Sequence, residues 1–346
     1  MNRFSCSPGL GPGGRRFESC PPDQLKSLRR KPKAFLLQLP ISRHLQKTTP
    51  MKRVLITLLL SICGYCSFAQ GATAPRWVDK EGWTAYLQGT MPLVISVPHG
   101  GTVNLSEIPD RSCEGAVTVT DSYTKELALE IADHLIKFKG QSPYLVICNL
   151  IRKDVDQNRD KPEATCGDSR MDAPWESFHT QINEAINEAV AQFGFCIYID
   201  LHGHGHPEQR LELGYMLSDK ELKEIYQTRR VPAKQHSLSN YLKASNGKLE
   251  LHDLLFGPQA FGTLMANEGF PSVPSAQDPF PEEGQKFFNG GYNTRRYTAN
   301  DYPQVVGWQI ESNMKGVRDK VGRPVFAAAF AKVISQYIEQ VAALKK

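Results

Sequence analysis

The chain has 346 residues, 40% of them hydrophobic, with 41 Lys/Arg against 36 Asp/Glu and a formal charge of +5 at pH 7. That excess is local: residues 1–69 hold twelve of the basic and two of the acidic residues, which leaves 29 basic and 34 acidic over 70–346. The bulk of the protein is therefore acidic, which removes the electrostatic support that nucleic-acid binding requires.

Met51 opens an export signal. Lys52 and Arg53 form the charged start, Val54 to Ile62 the apolar run, and Ser67-Phe68-Ala69 a small-x-small cleavage site. A buried helix is the bland alternative for the run, but it does not explain the three features in this order. The run is too short to anchor the chain permanently in a bilayer. The expected location is periplasmic or secreted, after cleavage near Ala69. Residues 1–50, rich in Pro, Gly and Arg, read as translated upstream sequence or a disordered tail ahead of a start at Met51. Residues 70–346 read as a single α/β domain.

Leu93–Pro98 is expected as a buried strand. Ser122–Phe138 has helical period through Ala128, Ile131, Ala132, Leu135 and Phe138. Tyr144–Leu150 is a second strand, Glu176–Phe193 a second helix, and Phe195–Leu201 a third strand. This alternation predicts a mostly parallel sheet with helices on both faces. Leu211–Leu217 is a further strand candidate. From Asp219 to Gly290 the pattern weakens to helical fragments at 238–244 and 258–266, expected as an elaboration near the site. Val305–Ser312 returns to a strand, and Pro324 opens a terminal helix.

Four cysteines follow the signal: Cys113, Cys148, Cys166 and Cys196. An oxidising compartment permits disulfides, and three pairings are open. Cys148 and Cys196 lie inside apolar strand-like runs and also read as buried thiols.

Two strand ends carry the chemistry. Val97-Pro98-His99-Gly100-Gly101 and Asp200-Leu201-His202-Gly203-His204-Gly205-His206 each place histidine where an apolar run breaks into glycine. In open α/β sheets ligands bind beyond the carboxyl ends of the strands. Two imidazoles delivered there suggest half of a zinc site, against the bland reading of polar caps on buried strands. Hydrolytic zinc takes three protein ligands and leaves one position open. A carboxylate from Glu107, Asp110 or Asp121 is the natural third, although Asp121 equally suits a helix N-cap. Arg152, Asp156, Asn158 and Arg159 follow the second strand and suit fork-like binding of a substrate carboxylate, or a loop paired within itself. The segment Gly290–Tyr297 reads as a lid with Arg295 as an anion contact, or as a turn. Glu311 ends the last strand, where a half-buried acid would suit proton transfer. His204 and His206 remain candidates for extra ligands, contacts behind the ligands or oxyanion donors. His179, His236 and His252 read as surface or core histidines.

With these segments in order, the chain resembles the N-formylglutamate amidohydrolase family. The matching motifs are V-P-H-G-G at 97–101, T-D at 120–121, R-K-D-V-D-Q-N-R at 152–159, D-L-H at 200–202, G-G-Y-N-T-R at 290–295 and Q-I-E at 309–311. The resemblance implies a zinc carboxypeptidase-like hydrolase with a three-layer α/β/α sandwich and a mostly parallel mixed sheet. It also implies one zinc ion held by His99, Asp121 and His202, with Glu311 as general base. Asn158, Arg159 and Arg295 would bind a substrate carboxylate, supported by Arg152. The expected activity is hydrolysis of the amide of an N-acylated amino acid or short peptide-like substrate. The alternatives are a zinc peptidase or amidase acting on cell-wall peptides, with 219–290 building a groove, and a non-catalytic exported binding protein.

Overall fold

The structure is a computed structural model and describes residues 77–344. The extension and export signal expected over 1–69 lie outside the described residues. The strands are β1 (Trp77–Val78), β2 (Thr84–Leu87), β3 (Leu93–Val97), β4 (Tyr144–Cys148), β5 (Cys196–Gly203), β6 (Leu211–Gly214), β7 (Ser272–Val273) and β8 (Val305–Ser312). They form one mixed sheet in the order β1-β2-β4-β3-β5-β8-β6-β7. The central strands β4, β3, β5 and β8 run parallel, while β2 and β6 join them antiparallel on either side.

Three long helices cover the sheet: α1 (Thr124–Lys139), α2 (Asp172–Phe193) and α3 (Gly322–Ala343). Strand alternation divides the core between them. Leu93, Ile95 and Val97 of β3, with Ile197, Ile199, Val306, Trp308 and Ile310, pack with α1 and α3. Val94, Val146 and Tyr198 point the other way and pack with Phe178, Ile182 and Ala185 of α2. The result is a three-layer α/β/α sandwich. Central strands covered on both faces need near-continuous apolar runs, and every residue of β3, β4 and β8 is buried.

The long elements fall close to their predicted ranges, and the differences have simple causes. Helix α2 starts at Asp172 rather than Glu176, because Pro174 sits in the first turn, where its missing N–H has no helical partner. Helix α3 likewise starts two residues before Pro324. The predicted weak region holds a helix at Asp219–Thr228 with a capping box between Ser218 and Glu221. The sequence signature Ser-x-x-Glu was present and was not read. Leu222, Ile225, Leu251, Leu255, Phe261 and Met265 of 219–267 join the core shared with α1 and α3. Those helices thicken that layer, and 271–290 returns to the sheet edge at β6. No helix among the described residues is long and apolar enough to cross a membrane.

Cys113 and Cys166 form a disulfide, while Cys148 and Cys196 are buried free thiols. Burial pushes the Cys148 thiol up to about 12. The bridge ties the loop between β3 and α1 to the turn after the short helix Lys161–Thr165.

Candidate metal centre

The carboxyl ends of β3, β5 and β8 lie side by side, which brings together residues that are distant in sequence. His99 stands two residues past β3, His202 near the end of β5, and Glu311 on β8 in register with His202. Asp121 lies in the loop ahead of α1, and its N–H donates to the His99 carbonyl at 3.0 Å. His99, Asp121 and His202 are all buried, and one ligand atom from each lies within 4.8 Å of the others.

Asp121 does not cap α1. The N-cap residue is Tyr123, and it makes no side-chain cap. The Asp121 carboxylate turns inward instead: Oδ2 lies 3.1 Å from His202 Nδ1 and 3.5 Å from His99 Nδ1, and accepts the Gly203 N–H at 3.2 Å. Of the other candidate third ligands, Glu107 and Asp110 are exposed, and Asp110 pairs with Lys153 at 2.8 Å.

Each histidine is held from behind by a carboxylate. His99 Nε2 lies 2.6 Å from Asp156 Oδ1, and His202 Nε2 lies 2.8 Å from Asp200 Oδ2. A carboxylate on one ring nitrogen fixes the proton there and leaves the other nitrogen a free lone pair. In both rings the other nitrogen is Nδ1 and faces Asp121, which His202 Nδ1 contacts at 3.1 Å. His99 Nδ1 is buried and makes no hydrogen bond. The 3.1 and 3.5 Å separations lie close to the ~3.3–3.6 Å edges of a tetrahedral ion with ~2.0–2.2 Å bonds. An unpartnered imidazole nitrogen and a matching donor set fit a divalent metal.

The supporting carboxylates are themselves satisfied. Asp156 Oδ2 takes Arg152 Nε at 3.0 Å and Nη2 at 2.9 Å, and Oδ1 accepts the Asn158 N–H at 3.0 Å. Burial works to raise the Asp156 pKa, but His99 and then Arg152 and the Asn158 N–H outweigh it and hold it well below the usual range. Asp200 Oδ1 accepts from Ser96 Oγ at 2.6 Å and Asn293 Nδ2 at 3.3 Å. Asp121 is likewise held low: burial opposes ionisation, and the contacts to His202 and His99 overcome it. His202 is raised well above an ordinary imidazole because Asp200, Asp121 and Glu311 outweigh the burial that favours its neutral form.

Glu311 lies on the sheet face that carries His202 and Asp200, between His202 on β5 and Glu212 on β6. Its Oε1 accepts from Gln309 Nε2 at 2.8 Å. Burial pushes its pKa up to about 8, with Asp121, Glu212 and Asp200 adding to the rise and His202 opposing it. A carboxyl poised there exchanges protons near neutral pH.

The residues expected to bind a substrate carboxylate divide. Arg152 is engaged on Asp156. Asn158 is buried: its Oδ1 accepts the Asn293 N–H at 2.9 Å and its Nδ2 lies 3.3 Å from His202 Nε2. Both side chains are committed inside the protein, in a supporting role that sequence reading had given only to Arg152. Gly291 explains its own place in the motif, since a Cβ there would lie 2.3 Å from the Asn158 amide. Arg159 is half-buried and donates to the Asn158 carbonyl at 2.9 Å. Arg295 is exposed, 6.0 Å from the Tyr292 ring centroid.

His204 and His206 make no hydrogen bond to His99, Asp121 or His202. His204 Nε2 lies 2.9 Å from the Arg210 carbonyl, and its Nδ1 accepts the His206 N–H at 3.1 Å. His206 Nδ1 pairs with Glu212 Oε1 at 2.7 Å. These three residues form a second group with metal-like spacing. Both nitrogens of His204 are already used, unlike Nδ1 of His99. His179 and His236 are core histidines whose burial lowers their pKa, His236 to about 4.

Sequence reading missed Asp200 as a partner of His202, although Asp-x-His on a strand puts both side chains on one face. It also missed Arg318, which no local motif announces.

No protein-family model matches the chain, and no curated protein matches it. Among solved structures it is similar to an N-formylglutamate amidohydrolase from Ralstonia eutropha JMP134, at 12% identity, covering 75% of this chain and 98% of that one, with a TM-score of 0.47. It is also similar to gene product Atu2144 from Agrobacterium tumefaciens, at 13% identity over 75% and 96% of the two chains, with a TM-score of 0.43. A third is the N-acetylmuramyl-L-alanine amidase Ami1 from Mycobacterium abscessus, at 14% identity over 71% and 97%, with a TM-score of 0.34.

Proposed function

We propose that this protein is an exported, zinc-dependent amidohydrolase that cleaves the amide of an N-acylated amino acid resembling N-formylglutamate. The observation that carries the reading is the pair of imidazoles whose Nδ1 atoms converge on Asp121 while Asp156 and Asp200 hold their Nε2 atoms. His99, Asp121 and His202 would hold the ion. When bound, zinc supplies Lewis acidity: it polarises a carbonyl and brings the ionisation of water from about 15.7 to roughly 7. Glu311 accepts the proton of the attacking water and returns it to the leaving nitrogen. Arg295 and Arg159, the cations with free surface, orient the substrate carboxylate, which places the scissile amide beside Glu311. The export signal read from the sequence at 51–69 supports a site of action outside the cytoplasm.

The test is metal analysis of the purified protein together with turnover of N-formylglutamate and of muropeptide fragments, with and without a chelator. Zinc at one ion per chain and chelator-sensitive release of formate support the reading. Turnover of muropeptides alone moves the substrate to cell-wall peptides. A zinc-loaded protein that hydrolyses neither class refutes the hydrolase and leaves a binding protein.

A further inference from the structure

Arg318 ends the short turn Met314–Arg318 that follows β8, and it is 4% exposed. Its Nε donates to the Ser312 carbonyl at 2.9 Å, Nη1 to the Ser122 carbonyl at 2.7 Å, and Nη2 to the His204 carbonyl at 2.7 Å. Those carbonyls lie one residue after Glu311, one residue after Asp121 and two residues after His202. A guanidinium is planar and its donors point in fixed directions. Three acceptors held by one such group cannot shift independently of one another.

The strand is shaped to admit this group. A Cβ on Gly203 would lie 2.4 Å from the guanidinium carbon and 2.4 Å from Nη1. Gly203 in turn donates its N–H to Asp121 Oδ2. Each of the three guanidinium nitrogens gives one N–H to a backbone carbonyl, which fixes the plane of the group. Burying a cation against neutral acceptors is expensive. Here the charge of Asp121 acts on Arg318 and offsets part of that penalty.

We infer that Arg318 is the positioning residue of the metal centre: its guanidinium locks together the segments that bear the ligands Asp121 and His202 and the base Glu311, in a space that Gly203 leaves open. This rests on reading the cluster as a metal site. The charge of Arg318 repels a metal ion, so geometry and not electrostatics is its contribution. Replacements that keep the charge and lose the clamp separate the two.

Arg318→Lys retains the cation but cannot span three carbonyls, and Gly203→Ala retains Arg318 but displaces it. Zinc affinity of purified, zinc-free protein is measured by chelator competition, at a temperature where circular dichroism shows each variant folded. Both variants are expected to bind zinc at least ~10-fold more weakly, the scale of losses when support behind metal ligands is removed. Both should also change the visible spectrum of the cobalt-substituted protein, which a role in fold stability alone would leave intact. Folded variants with wild-type zinc affinity and cobalt spectrum overturn the inference. If Arg318→Lys does not fold, Gly203→Ala carries the test; if neither folds, Arg318 is a folding residue and the inference fails. Wild-type protein that takes up no zinc refutes the metal centre itself, a different result from wild-type binding with unaltered variants.

Discussion

Replacing Glu311 by Gln separates its chemical role from its structural one, because the two roles predict opposite signs. In the unfolded chain the carboxyl ionises above about 4.5, whereas in the metal-free fold burial makes it hold its proton to about 8. The folded-state pKa is raised, so metal-free wild-type protein loses stability from this group as pH rises from about 4.5 to about 8, and nothing further above that. Gln cannot ionise and escapes the loss. At pH 7 the interval is about 2.5 pH units, and at ~1.4 kcal/mol per unit the variant should gain on the order of 3 kcal/mol. Its shape is retained and no metal ligand is touched, so zinc binding should persist. Catalysis should fall: removing a general base lowers kcat by ~10²–10⁴-fold, or ~3–5 kcal/mol of barrier. Urea unfolding of the zinc-free pair at pH 5 and pH 7, with kcat of the zinc-loaded pair, reads both effects. An unchanged kcat removes Glu311 as the base, and a stability difference that does not widen from pH 5 to pH 7 refutes the buried, proton-holding carboxyl.

Asp156→Asn leaves Arg152 without its partner and His99 Nε2 without its carboxylate. Zinc affinity by chelator competition should drop ~10–100-fold, and an unchanged affinity would mean that His99 is oriented without Asp156. Replacing both Cys113 and Cys166 by Ser opens a loop with a sequence separation of 53. By chain entropy that removes ~4 kcal/mol, read as a lower urea midpoint; an unmoved midpoint refutes the constraint. Zinc must displace the proton that Asp200 and Asp121 help His202 to keep. Zinc affinity should therefore rise with pH across neutrality, by up to about tenfold per unit, and a flat profile between pH 6 and 8 would show that His202 does not ligate.

The parts of the fold open to sequence reading were those governed by a repeating burial pattern. Leu93–Val97 and Tyr144–Cys148 are apolar throughout because both faces of the central sheet are covered. Helix α1 shows its face through Leu127, Ile131 and Leu135. The two-residue strands at 77–78 and 272–273 are too short to hold a period, and Lys161–Thr165 is a single turn set by its Asp160 cap. At the site, glycine after a strand marked His99 and His202 as ends of β3 and β5. It could not show which way each ring faces.

That direction follows from strand parity and from what stands behind each ring. Asp200 and His202 share one face of β5 two residues apart, so the carboxylate reaches the far nitrogen of the imidazole. Beyond Gly203 the chain leaves the ladder, parity no longer applies, and His204 and His206 turn to Arg210 and Glu212. Three histidines at equal spacing in the sequence thus meet different fates. The one on the ladder turns Nδ1 to Asp121, while the next spends both nitrogens on backbone groups of Arg210 and His206. In the first group carboxylates crowd two imidazoles so closely that one must stay protonated unless another cation replaces that proton. A divalent ion held by the two Nδ1 atoms and Asp121 would take the place of that proton and give the unpartnered His99 Nδ1 a partner.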